Sequence, residues 1–162
     1  MRLWHEDLLS ILPDKQLLSQ HRECCALRGR GWGRKHSTVD YVFDQPREHL
    51  VAYHWKVMNE MEHREMAPDK AWFNPSYCGK ILGYKSTNPQ VRELIQRMVD
   101  KTVYAEHDHK YLSSCATNLI EKLKIKLEKY ITSYGVSDFR TLTVSQQLDK
   151  FIVIQQRTLF LL

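Results

Sequence analysis

From about residue 108 to 131, Leu112, Cys115, Leu119, Ile120, Leu123, Leu127 and Tyr130 recur every three or four positions, with Lys122, Lys126 and Lys129 between them. That period fits 3.6 residues per turn and not a pleated strand, so it predicts a helix with one apolar stripe. The same spacing recurs along the chain. After Pro13-Asp14, residues Leu17, Leu18, His21, Cys24 and Cys25 predict a helix of about 15 residues ending at Arg28-Gly29. Gln16, Ser19, Gln20 and Glu23 are expected on its polar face. Leu50, Tyr53, His54, Val57 and Met61 predict a second helix over about 45 to 65, with Asp44 as N-cap ahead of Pro46. Residues 66 to 88 read as an ordered, irregular aromatic connection, and Asn88-Pro89 opens a short helix to about residue 100. After Tyr134-Gly135, Thr143 with Gln146 resembles a capping box before a last helix; a strand over Phe151 to Ile154 is the weaker alternative. The fold class is all-α: a compact single-domain helical fold, residues 1–162, with an N-terminal tail packed near the first helix.

With 162 residues, 43% hydrophobic and 27% charged, and only 6 Gly and 5 Pro, the chain can bury a core, and neither disorder nor a fibrous repeat is expected. Its longest apolar run, near the C-terminus, falls far short of the roughly 20 residues that cross a bilayer, so no membrane span is expected. Glu6, Asp7 and Asp14 interrupt the apolar residues at the start, which does not read as a secretory signal. The expectation is a cytoplasmic monomer in a reducing compartment. Cys24, Cys25, Cys78 and Cys115 form no CxxC pair and are expected as reduced, mostly buried thiols.

The charge is unevenly placed. Residues 15 to 36 hold Lys15, Arg22, Arg28, Arg30, Arg34 and Lys35 against Glu23 alone, and this excess equals the net charge of +5 for the whole chain. Within it, Gly29, Gly31 and Gly33 alternate with Arg30, Trp32 and Arg34, predicting a loop with close backbone approach to something.

No GxxxxGK[ST], GxSxG or HExxH pattern is present, and the glycine-rich loop follows a helix rather than a strand, the wrong context for a dinucleotide site. His49 and His54 diverge on a helix, and His107 and His109 flank an acid at a helix start, so no metal is expected. His21 reads as a core histidine, and Cys24 and Cys25 as packing groups.

From Leu8 to Glu23, followed by Arg34-Lys35-His36, the sequence resembles the start of the phage endonuclease V type pyrimidine-dimer DNA glycosylases and the bacterial proteins grouped with them. The resemblance rests on Arg22-Glu23 about twenty residues from the N-terminus and on the Arg34-Lys35-His36 element, and extends over roughly the first 60 residues. It implies a cofactor-free glycosylase with abasic-site lyase activity, acting on double-stranded DNA that carries a damaged or abasic site. Glu23 matches the family's catalytic carboxylate. An N-terminal amine, with a typical pKa of about 7.7 to 8.0, is substantially neutral near physiological pH and attacks the sugar C1′ to form a Schiff base. Arg22, Arg28, Arg34, Lys35 and His36 would hold phosphates, and Trp32 is the aromatic candidate for nucleic-acid contact.

Position 2 departs from the family, whose nucleophile is a threonine amine uncovered by removal of the initiator Met. Arg2 predicts retention of Met1, whose amine then sits one residue earlier, with Arg2 near the nucleophile's place. Three outcomes stay open: attack by the Met1 amine, attack by water under Glu23, or loss of base excision. The alternatives to a glycosylase are a non-catalytic DNA-binding module and a small helical interaction protein.

Overall fold

The computed structural model describes residues 3–34, 39–86 and 88–159. Among them the protein is all-α, with five α-helices and no strand beyond one isolated bridge between Tyr77 and Tyr84. The helices are α1 (Asp14–Arg28), α2 (Arg47–His63), α3 (Val91–Val99), α4 (His109–Tyr134) and α5 (Phe139–Leu159). No helix among the described residues is long and apolar enough to cross a membrane. The chain divides into two compact units, Met1–Glu106 and His107–Leu162.

In the first unit α2 is the central element. It buries Leu50, Val51, Ala52, Tyr53, His54, Trp55, Val57, Met58 and Met61, far more than one stripe. A helix apolar on most sides must be covered on most sides. The N-terminal tail, α1 and α3 all pack against it. The tail buries Leu3, Trp4, Leu8, Leu9 and Leu12 and forms a 3-10 turn over Glu6–Ile11. Arg64, just past α2, fastens this turn by donating to the carbonyls of Leu9 and Leu12 at 3.0 and 2.6 Å and to Asp14 Oδ1 at 2.9 Å.

In the second unit α4 and α5 pack against each other as a helical hairpin. The buried stripe of α4 runs from Leu112 to Leu123 and fades at half-buried Leu127 and Tyr130. Gln155 Nε2 donates to Thr117 Oγ1 at 2.7 Å, tying the end of α5 to the first half of α4.

Two expected caps are corrected. Asp44 does not cap α2: it closes a 3-10 turn over Asp40–Phe43, and Pro46 starts α2 without a side-chain cap. Thr143 does not open α5. The helix begins at Phe139, where Asp138 Oδ1 accepts the Arg140 N–H at 2.9 Å, and Thr143 Oγ1 bonds back to the Phe139 carbonyl. Asp and Thr compete for both roles because each binds nearby backbone, so residue type alone does not decide which one caps. The helical reading of Phe151 to Ile154 holds over the strand alternative.

Glu6 joins the tail to the far side of this unit. Only 8% exposed, its carboxylate contacts Lys56 Nζ at 2.5 Å through Oε2 and accepts the Val103 N–H at 2.9 Å through Oε1. Glu6→Ala leaves a buried N–H without its acceptor and a lysine without its counter-charge, and is expected to cost about 2–4 kcal/mol in urea unfolding. Glu6→Gln keeps an acceptor for Val103 and should lose clearly less; equal losses would show that the carboxylate geometry is irrelevant.

Candidate functional site

Glu23 lies on α1 between two environments. Arg22 beside it is exposed, Gln20 and Cys24 are buried, and Glu23 is half-buried. Gln20 is not on a solvated face as the sequence suggests: it is 1% exposed and its Oε1 accepts the Trp4 backbone N–H at 2.7 Å. Its Nε2 reaches toward Glu23 Oε2 at 3.4 Å. From the other side, Tyr53 Oη on α2 donates to the Trp4 carbonyl at 2.6 Å. Both polar groups of the Trp4 peptide unit are therefore held, one by each helix, and one amide side chain links the N-terminal tail to the Glu23 carboxylate. Neither Gln20 nor Tyr53 stands out in the sequence. Each occupies an ordinary helical position, and only the tail that approaches them gives them a task.

Met1 and Arg2 lie outside the described residues, as do Lys35 and His36. Arg22, Arg30 and Arg34 are exposed, and Trp32 is half-buried with its ring edge-on to Phe43 at 5.3 Å. The backbone approach expected of the glycine loop is to α1 and to the aromatic connection. A Cβ on Gly31 would come within 2.7 Å of the Ala26 carbonyl, and one on Gly29 within 3.1 Å of the Cys78 carbonyl. The Gly31 N–H bonds to that Ala26 carbonyl at 2.9 Å, folding the loop back on the helix end.

Arg28 does not belong with the exposed arginines. It is 0% exposed, and its guanidinium donates to the carbonyls of Trp72, Asn74 and Tyr77 at 2.7, 2.8 and 3.3 Å while lying over the Trp72 ring. Its expected place in a phosphate grip is corrected on this ground: its donors are committed inside the protein. Burial, with Arg47 nearby, pulls its pKa down to about 10, so it stays charged near neutrality. Arg47 donates to the Arg28 carbonyl at 3.0 Å and to Cys78 Sγ at 3.1 Å.

Arg28 also sets a chain of histidines. Its Nη1 lies 3.1 Å from His54 Nδ1, and His54 Nε2 lies 2.8 Å from His21 Nδ1. Arginine only donates, so His54 Nδ1 accepts and the neutral ring carries its proton on Nε2. That proton points at His21 Nδ1, which leaves the His21 proton on Nε2, 3.7 Å from Cys25 Sγ. Burial pushes both histidine pKa values down, well down for His54, so both rings are neutral near pH 7. The core reading of His21 holds.

His21, Cys25 and His54 bring ligand-type atoms within 4.8 Å of one another, the group among the described residues with that potential. The donor set does not suit a metal. A neutral imidazole bound through His54 Nε2 must carry its proton on Nδ1, against the Arg28 donor. Burial pushes the Cys25 thiol up to about 12 and raises that of Cys24 well above its ordinary value, so neither is a ready thiolate ligand or nucleophile. All four cysteines are free thiols, with Cys25 partly exposed.

Imidazole nitrogen NMR reads these tautomers directly. His54 should show a bare Nδ1 and a protonated Nε2, and should stay neutral as the pH falls from 7 to 5. Because both folded pKa values lie below the ordinary 6.5, the unfolded chain binds more protons below that pH. Stability from this pair is complete above about pH 6.5 and declines as the pH falls beneath it. A protonated His54 at pH 6 would overturn the assignment.

Neither a curated protein nor a solved structure matches the chain. Residues 117–157, within the second unit, match the family model described as Spo0E like sporulation regulatory protein. Over residues 1–74, which carry the tail, α1, the basic loop and α2, the chain matches the family of pyrimidine dimer DNA glycosylases.

Proposed function

We propose that this protein is a DNA repair glycosylase that excises damaged pyrimidines, dimers or other modified bases, from duplex DNA, with Glu23 as the catalytic carboxylate. The observation that carries this reading is the tail clamp: Trp4 is fixed by Gln20 and Tyr53, and Gln20 also reaches Glu23. The family match over residues 1–74 supports the same chemistry.

Departure of a base leaves positive charge on the deoxyribose, and a carboxylate held beside the sugar stabilises that charge and moves the protons of the following steps. The attacking group in this reading is the Met1 α-amine. Three residues of chain span about 10 Å at most, so the fixed Trp4 tethers the amine near α1. The amine and C1′ form a carbon–nitrogen bond as the base leaves with its electron pair. Proton loss from the nitrogen and cleavage of the C1′–O4′ bond, with a proton going to O4′, open the sugar to a Schiff base; loss of a C2′ proton then expels the 3′ phosphate by β-elimination, and this is the lyase step. Arg2 is proposed to stand with Met1 and Glu23 in the catalytic set, near the nucleophile's place. Arg22, Arg30 and Arg34, with Lys35 and His36, supply the phosphate-binding surface, and Trp32 offers the exposed part of its ring. The enzyme is proposed to act as a cytoplasmic monomer without a cofactor.

A separate role is proposed for the second unit. Its match to the family model described as Spo0E like sporulation regulatory protein supports a regulatory one.

Borohydride with an abasic or lesion-containing duplex should trap a covalent adduct. Glu23→Gln should lower single-turnover excision by about 10²–10⁴-fold while leaving duplex affinity near that of the wild type. Gln20→Ala should slow trapping without weakening DNA binding, since it touches the tail and not the phosphates. Absence of adduct, strand cleavage and base release across ultraviolet, alkylated and abasic substrates would reduce the protein to a binding module.

A further inference from the structure

The aromatic connection carries a feature that the excision chemistry does not use. Residues 76 to 85 form a small hairpin in which Lys85 N–H bonds to the Ser76 carbonyl at 2.9 Å and Cys78 N–H to the Gly83 carbonyl at 2.8 Å. Gly83 N–H closes the turn onto the Gly79 carbonyl at 2.8 Å, leaving Lys80, Ile81 and Leu82 at its tip. Both closing glycines have positive φ, +95° and +62°, which side chains rarely adopt. The tip is apolar and solvated: Ile81 is 73% exposed, Leu82 42% and Tyr84 62%. Ile81 and Leu82 stand side by side on a glycine-closed turn, where neither adds to the core.

We propose that this tip is a duplex-opening wedge: Ile81 and Leu82 enter the base stack of damaged DNA while Lys80 and Lys85 hold the flanking phosphates. This inference rests on the glycosylase reading and adds the step that exposes the lesion. Three observations favour DNA over a protein as the occupant. Residues 70 to 92 contain Lys70, Lys80, Lys85 and Arg92 and no acidic residue, so the apolar tip sits in a wholly basic stretch. The hairpin is continuous with the basic loop after α1, because Gly29 abuts the Cys78 carbonyl and Arg47 joins the Arg28 carbonyl to Cys78 Sγ. Its base is also rigid, with Tyr77 edge-on to Trp72 at 4.8 Å and the Tyr77 carbonyl bonded to both Arg28 and Arg47. Rigidity matters because unstacking a step is costly, and a loose loop would yield instead of the DNA.

A duplex with 2-aminopurine beside an abasic site reports unstacking as a rise in fluorescence, whether or not the base is excised. The wild-type protein should produce that rise. The double variant Ile81→Ala, Leu82→Ala should lose most of it, and should excise a lesion from duplex about tenfold or more slower. Its excision of the same lesion from a single strand, and its thermal unfolding, should match the wild type, since both side chains are solvent-exposed. A double variant that unstacks and excises duplex DNA as the wild type does would overturn the wedge, as would a wild-type protein that binds duplex with no rise. If the wild type unstacks, the variant does not, and neither releases a base, the wedge stands and the glycosylase reading falls.

Discussion

The Arg28 guanidinium is the interaction on which the first unit depends. It sits at the C-terminal end of α1, where the helix dipole favours a cation, and is fully buried with carbonyl oxygens rather than a carboxylate as its main partners. Carbonyl dipoles and the face of Trp72 replace the lost water in part, while burial, with Arg47 nearby, still pulls the pKa down to about 10. Its two terminal nitrogens join two pieces of chain: His54 belongs to α2, and Trp72, Asn74 and Tyr77 to the aromatic connection. Without the cation, the Trp72 carbonyl would face a cavity, and those of Asn74 and Tyr77 would keep only the Tyr77 N–H and Arg47 respectively. The connection could then no longer be irregular and ordered at the same time.

From that fixed point the two sides of α1 acquire different jobs. The inner side carries Arg28, His54 and His21 in a one-directional hydrogen-bond chain that sets both tautomers and keeps the rings neutral. The outer side presents Arg22 to solvent, with Glu23 at the boundary. Gln20 is the hinge between them, since a buried amide can accept from Trp4 and donate toward Glu23 at once. Holding a carboxylate and the Trp4 backbone in register is a positional problem, and packed helices solve it better than loops do.

The helices were legible because a 3.6-residue apolar period survives substitution of one hydrophobe for another. Caps were not, because Asp44, Asp138 and Thr143 all bind nearby backbone and the sequence does not say which closes a turn and which opens a helix. The instructive misreadings are Gln20 and Arg28. With Cys24 they fall at i, i+4 and i+8, one face of one helix, and Cys24 marks that face as buried. Residue type argued for solvent and position argued for the core, and position won because each found buried partners. The two compact units that meet at Glu106 carry no mark in the helical period, which α4 and α5 share with the helices before them.

Burial of Arg28 also changes what the charge excess of residues 15 to 36 means. One of its six basic residues is structural, and Lys15, Arg22, Arg30 and Arg34 are the described ones left at the surface. What the buried cation takes from that surface it returns by anchoring a second one. The carbonyls it binds lie in the segment leading to Lys80 and Lys85, and the loop bearing Arg30 and Arg34 packs on the same segment through Gly29. Two basic stretches far apart in sequence thus share one rigid base, where an inward-facing arginine holds them together. A polyanion bridging both would meet charge on either side of an apolar tip, an order of contacts that neither stretch could set by itself.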